Sequence, residues 1–346
     1  MKNTSPGNLI WAGFEGRTVP DYIRVRLQSG ELGGIIIFSR NFTSPQTLRN
    51  LTDDLRSHWN GVGALPIAID QEGGKVRRLS WVNWPSAYSL SHLENDQHIF
   101  DIGAAMGDEL SQMGINIDFA PVLDLYNPDS IVLGDRCFSH DVDVIVKNAS
   151  SWIDGIKTSQ IAVCGKHFPG HGSVNADSHL EKPVCHLSAE EIDIHMRPFK
   201  LLLDKLDLIM VAHVLYENLD GNSVATFSPI IMDIPHQWGF SGLLLSDDLE
   251  MGALKELDAM EIAFRSIVAG LDSLIVCRSE NMFIKTLEAL DKVCTSSSET
   301  SLKIQSGIQK VLTWRNRLRN SYPEFSESNF NKLISDNNYM LEKIMG

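Results

Sequence analysis

The chain has 346 residues, 43% of them hydrophobic and 21% charged, a balance that fits a soluble globular protein with a large core. Its net charge of −14 excludes nucleic acid and an anionic membrane as principal partners and leaves a neutral small molecule open. Residues 1–7 are polar without the apolar core of a signal peptide, and no run reaches transmembrane length, so a cytoplasmic protein is expected. Cysteines 137, 164, 185, 277 and 294 are scattered with no C-x-x-C pair, which predicts reduced thiols and neither a disulfide frame nor a zinc site.

Short apolar runs alternate with amphipathic stretches along the whole sequence. Asn8 to Ala12 is the first run, Gly34 to Phe38 the second, and Pro66 to Ile69 the third, ending on Asp70-Gln71-Glu72-Gly73-Gly74. Ile115 to Ala120 leads into Pro121-Val122-Leu123-Asp124, and Ile161 to Cys164 leads into Lys166-His167. Leu208 to Ala212 ends on His213, Leu243 to Ser246 on Asp247-Asp248, and Ser273 to Cys277 closes the series. Between them, Ser44-Pro45 is a helix start followed by an apolar face of Leu48, Leu51, Leu55 and Trp59. Ile145 to Ile156 traces a second such face, and Ser188-Ala189-Glu190-Glu191 reads as a capping box. The segment 253–269 puts Met260, Ala263, Phe264, Ile267 and Val268 on one face and stops at Gly270. Residues 293–301, rich in Ser and Thr, are expected as a surface loop before a helix over 302–318.

Eight strand-like runs separated by helices predict a single (β/α)8 barrel, an α/β fold of the TIM type, over residues 1–346, with helical padding from about 300 to 346. An open doubly wound sheet is the competing topology, but no glycine-rich phosphate fingerprint follows the first strand. A barrel gathers the C-terminal strand ends on one face, so Asp70, Lys166, His213 and Asp247 are expected to converge there.

The stretch from Lys166 to His179 places a lysine, three histidines and an aspartate within a loop that glycine and proline keep from being helical. Asp177 and His179 are two apart, so in extended chain their side chains point the same way, a spacing that allows an Asp-His pair. The aspartate fixes the imidazole tautomer and raises its pKa from roughly 6.5, which lets it give and retrieve a proton near neutral pH. Such proton transfer contributes roughly 10²–10⁴-fold in rate. Asp247, at the rim of an apolar barrel, is a candidate nucleophile, metal ligand or orienting acceptor, and Asp248 is equally placed to cap the following helix. A nucleophilic carboxylate with a separate acid/base describes retaining glycoside hydrolysis, here with histidine in place of the second carboxyl group. Asp70, Arg136, Lys166, His167 and His213 then supply hydrogen bonds to sugar hydroxyls. Glu72 and Arg77 are read as braces of the loop after the third strand.

Asp70-Gln71-Glu72-Gly73-Gly74, Gly134-Asp135-Arg136-Cys137-Phe138, Lys166 to Gly172 with Asp177-Ser178-His179, Ala212-His213-Val214 and Ser246 to Met251 together resemble the β-N-acetylglucosaminidases of glycoside hydrolase family 3, in their compact bacterial form. The resemblance runs from Gly33 to about Cys277. It implies a cytoplasmic enzyme that needs no cofactor or metal and releases non-reducing terminal N-acetylglucosamine from recycled peptidoglycan fragments carrying anhydro-N-acetylmuramic acid. It also implies Asp247 as nucleophile, Asp177 and His179 as the acid/base dyad, and Asp70, Arg136, Lys166 and His167 as sugar-binding residues. Lys75 stands where the family often has arginine, and Cys137 where serine is common. The competing functions are a phosphorylase or a general β-glucosidase of the same fold, a metal-dependent barrel hydrolase using His167, His171, His179 and Asp247, and a sugar-binding module without activity.

Overall fold

The structure is a computed structural model of the chain, and it describes residues 5–128, 130, 132–174 and 183–346. Eight parallel strands close into a barrel in chain order: β1 (Ile10–Ala12), β2 (Gly34–Ile37), β3 (Ile67–Ile69), β4 (Ile117–Asp118), β5 (Ala162–Phe168), β6 (Leu208–Val211), β7 (Leu243–Asp248) and β8 (Ser273–Val276). The last strand pairs with the first, Ile10 against Leu274 and Ala12 against Val276. Each strand is followed by a helix that covers the outside: α1 (Asp21–Ser29), α2 (Pro45–Ser57), α3 (Asp96–Gln112), α4 (Val142–Ile156), α5 (Ala189–Leu201), α6 (Pro229–Gln237), α7 (Ala259–Ala269) and α8 (Glu280–Ser296). The expected (β/α)8 fold is therefore the observed one. Parallel strands covered on both faces have no solvated side, which is why their residues read as continuous apolar runs.

Local chemistry sets the element ends. The Ser44 side chain accepts the Thr47 N–H and Pro45 opens α2, whose Leu48, Leu51 and Leu55 are buried. Ser188 and Glu191 form the reciprocal capping box that starts α5. In α7 the helix begins only at Ala259, capped by Asp258, and Phe264 stands 44% exposed instead of facing the core; Ile262 takes the buried position.

The Ser/Thr-rich segment 293–301 is helical, not a loop. α8 runs to Ser296, and Ser297 caps a further helix, α9 (Ser298–Arg315), through the Thr300 N–H. Ser296 and Thr300 hydroxyls both donate to the Val293 carbonyl, so the polar side chains satisfy the helix ends that the break leaves open. The last helix, α10 (Glu327–Met345), lays Phe330 edge-on against Trp81, ring centroids 5.3 Å apart. All five cysteines are unpaired.

Candidate active site

A cleft of about 580 Å³ opens at the C-terminal ends of the barrel strands, a volume usual for a small-molecule site. Ile36, Phe119, Met210 and Ile275 give it an apolar floor, and Asp70, Glu72, Arg136, Lys166, His167 and Asp247 stand on its walls.

One wall is an ion network built from three separate segments. Asp70 follows β3, Glu72 lies in the hairpin Gln71–Gly73/Val76–Arg77, Lys166 is on β5, and Arg136 ends the turn Gly134–Arg136. Lys166 Nζ sits 2.9 Å from Asp70 Oδ1 and 2.6 Å from Glu72 Oε1. Arg136 donates through Nε and Nη2 to the two Glu72 oxygens, each at 2.8 Å. Arg78 holds the other Asp70 oxygen at 3.1 Å. Burial alone would raise both carboxyls, but Lys166 with Arg78 holds Asp70 far below the usual carboxylate range, and Arg136 with Lys166 brings Glu72 to about 2. The same pairing raises Lys166 and Arg136 against the opposing effect of burial. All four groups therefore stay charged, and their geometry is fixed before a ligand arrives. The hairpin that carries Glu72 turns through Gly73 and Gly74 at φ 89° and 56°, and a Cβ on Gly73 would meet the Pro85 carbonyl oxygen at 2.1 Å.

His167 is oriented from behind by Asp124. The buried Asp124 carboxylate accepts His167 Nδ1–H at 2.7 Å, the His167 amide at 3.1 Å and the His171 amide at 2.6 Å. Burial opposes its charge, yet the bond and charge of His167 keep its pKa below the ordinary value. This bonding assigns the proton to Nδ1 and turns Nε2 toward the cleft, 3.5 Å from Arg136 Nη2. His171 also lines the cleft, and burial lowers its pKa.

On the other side Asp247 ends β7. Burial pushes its carboxyl up, but His167, His213 and the Asp248 N–H, which donates to Oδ1 at 2.7 Å, hold it below the ordinary range. Its neighbour Asp248 differs. Burial, with the charges of Glu250 and Asp247, pushes Asp248 up to about 6, and its Oδ1 accepts the Glu250 and Cys277 amides. One carboxylate is thus kept ionised in the cleft while the next braces the loop after β7.

Of the expected site residues, Asp70, Arg136, Lys166, His167 and Asp247 line this one cleft. His213 is fully buried at the end of β6, between Thr226 Oγ1 and the Asp248 carbonyl, and reaches Asp247 through its charge. Asp177 and His179 lie outside the described residues. Glu72 braces the loop as expected, but it also lines the cleft and ties Lys166 to Arg136, a role the sequence reading missed. Asp124 was missed as well: it lies in the loop beyond β4, six residues past the strand's last residue, where no strand end marks it. Arg77 remains a brace, donating to the Gly74 carbonyl. Among the described residues no group of three or more His, Cys, Asp or Glu is arranged to hold a metal.

Comparison with known proteins gives this cleft a family context. Residues 12–314 match the glycosyl hydrolase family 3 N-terminal domain. A β-hexosaminidase of Idiomarina loihiensis is 39% identical over 273 residues, 76% of this chain and 82% of that protein. The structure of a glycoside hydrolase family 3 β-N-acetylglucosaminidase from a Paenibacillus species superposes with a TM-score of 0.85 at 27% identity, over 98% of this chain and 68% of that one. NagZ from Neisseria gonorrhoeae, in complex with N-trifluoroacetyl-D-glucosamine, superposes with a TM-score of 0.79 at 25% identity, over 97% and 98% of the two chains.

Proposed function

The chain belongs to glycoside hydrolase family 3 and is a glycoside hydrolase, and on that premise we propose that it is a retaining exo-β-N-acetylglucosaminidase. The observation that carries the reading is Asp247, a carboxylate kept ionised at the rim of an apolar barrel and facing a preformed wall of paired charges. In this reading Asp247 attacks the anomeric carbon while His179, its tautomer set by Asp177, protonates the departing oxygen. A covalent glycosyl-enzyme forms, and His179 then takes a proton from the water that releases the sugar. Asp70, Arg136, Lys166 and His167 hold the sugar hydroxyls, and His213, bonded to the Asp248 carbonyl, steadies the strand end that carries Asp247. The N-acetyl selectivity follows the relatives' activities and the N-acylated ligand of the Neisseria protein. The substrates we assign are peptidoglycan fragments with anhydro-N-acetylmuramic acid, cleaved in cytoplasmic cell-wall recycling.

A 5-fluoro N-acetylglucosaminyl trap followed by peptide mapping tests the assignment. It should label Asp247, and Asp247→Ala should lose at least about 10³-fold in kcat with little change in affinity. Labelling of Asp248, or substantial residual kcat, overturns the nucleophile. Equal kcat/KM for β-glucoside and β-N-acetylglucosaminide makes the chain a general β-glucosidase, and a glycosyl phosphate product makes it a phosphorylase. In the same series His179→Ala should lose far more kcat/KM on a disaccharide than on a dinitrophenyl glycoside, which needs no proton to leave.

A further inference from the structure

Asp118 is fully buried at the end of β4, between Ile69 of β3 and Val163 of β5 in register, and no step of the reaction above uses it. Its Oδ1 accepts the Gln71 N–H at 2.9 Å, and its Oδ2 has no hydrogen-bond partner among the described residues. Gln71 is the residue after Asp70 and is itself fully buried. Its side chain spans the hairpin: Nε2 donates to the Leu79 carbonyl at 3.0 Å, while Oε1 accepts the Arg78 and Leu79 amides at 2.9 and 3.0 Å. Arg78, hung on Gln71 by its backbone, returns to Asp70 Oδ2. We propose that Asp118 is a positioning residue, whose bond to the Gln71 amide fixes the turn 70–79 and so holds Asp70 and Arg78 in place on the sugar-binding wall.

The charge state suits that role. Burial above all, with the carboxylates of Asp70 and Glu72, pushes the Asp118 carboxyl well above the usual range, against the Gln71 N–H and Lys166. A third buried anion beside Asp70 and Glu72 would compete for Lys166 and draw its ammonium away from them. A neutral acid accepts the amide without that competition, and a proton on Oδ2 removes most of the cost of leaving that oxygen unpaired.

The inference rests on the hexosaminidase reading only for its kinetic arm. Asp118→Asn keeps a neutral acceptor of the same shape, so its kcat, KM and pH profile should match wild type within about 3-fold. Asp118→Ala removes the acceptor and should raise KM for p-nitrophenyl N-acetylglucosaminide by about 10-fold with kcat little changed, because Asp70 and Arg78 act in binding. Hydrogen exchange at the Gln71 amide, which needs no turnover, should accelerate in Asp118→Ala and not in Asp118→Asn. If Asp118→Ala does not fold, Asp118→Ser carries both measurements. Asp118→Asn as impaired as Asp118→Ala overturns the proposal, as does an Asp118→Ala protein with wild-type KM and exchange. Absence of hexosaminidase activity in the wild type defeats the functional reading and leaves the exchange result standing.

Discussion

At the C-terminal mouth of the barrel Lys166 and Arg136 are buried against Asp70 and Glu72, whereas at the opposite end Arg315 is buried with no carboxylate paired to it among the described residues. Arg315, in the last turn of α9, donates to Asn8 Oδ1 at 3.0 Å, to the Gly33 carbonyl at 3.0 Å, and to the Leu32 and Asn8 carbonyls. Its guanidinium also lies 5.2 Å from the Trp59 ring centroid. Burial pulls its pKa down to about 9, as expected where only uncharged partners offset desolvation. The contrast separates two uses of a buried charge. Neutral oxygens, the backbone carbonyls with the Asn8 side chain, suffice to clamp α9 onto the segments that enter β1 and β2. Paired ions cost more to desolvate, and they appear where fixed donors and acceptors must also meet a polar ligand.

Breaking the mouth should give the largest effect. Lys166→Met leaves Asp70 and Glu72 each with one arginine, so the fold should lose up to about 3 kcal/mol, below what a fully orphaned buried ion would cost. Activity should fall by at least about 10²-fold, because the wall no longer presents the same donors. Urea denaturation and kcat/KM on one preparation measure both. A stable protein with near-normal turnover would show the network to be ornamental.

Arg315→Met breaks the other end. It strands several carbonyls at the start of the barrel and should destabilise by about 3 kcal/mol, while kcat/KM of the folded fraction stays within about 2-fold of wild type. A large kcat loss at unchanged stability would mean that the two ends are coupled.

The third and smallest effect sharpens the comparison with a buried carboxyl that has neither kind of partner. Glu109, in α3, accepts only Trp84 Nε1–H, at 2.6 Å, among the described residues, and burial pushes it from 4.5 up to about 8. The folded chain keeps a proton that the unfolded chain releases over this window. Its contribution to stability is therefore complete below about pH 4.5 and is lost as the pH rises through 8. Glu109→Gln should flatten the fall in the denaturation midpoint between about pH 5 and 8 relative to wild type. Parallel curves for the two proteins would refute a protonated Glu109. Glu72 has the opposite sign: its low pKa supports the fold at neutral pH and is lost as the pH falls toward 2.

The order of strands and helices, and the strand ends that carry Asp70, Lys166 and Asp247, are legible in the amino-acid sequence, because apolar period and cap residues act within a few positions of one another. Capping chemistry located α2 and α5 correctly, but it also underlies an error: the hydroxyls of 293–301 resemble a loop, and only their bonds to helix ends show otherwise. Phe264 was misplaced because the apolar residues of this segment fit two adjoining helical faces, and the one turned to the barrel carries Ile262, Ala263, Ser266 and Ile267. The partners lie beyond any local signal. Arg136 and Glu72 are 64 residues apart, His167 and Asp124 are 43 apart, and Arg315 and Leu32 are 283 apart. Such pairs exist only once the barrel closes and removes water from around them, and the balance of burial and pairing then decides which carboxyls, like Asp247, stay charged and which, like Glu109, keep a proton. The sequence by itself determined which strand ends bring Asp70, Lys166 and Asp247 to the mouth of the barrel; the tertiary structure added Glu72 to that wall, buried His213 behind it and decided which groups face one another, because desolvation and charge pairing depend on distances that no spacing along the chain encodes.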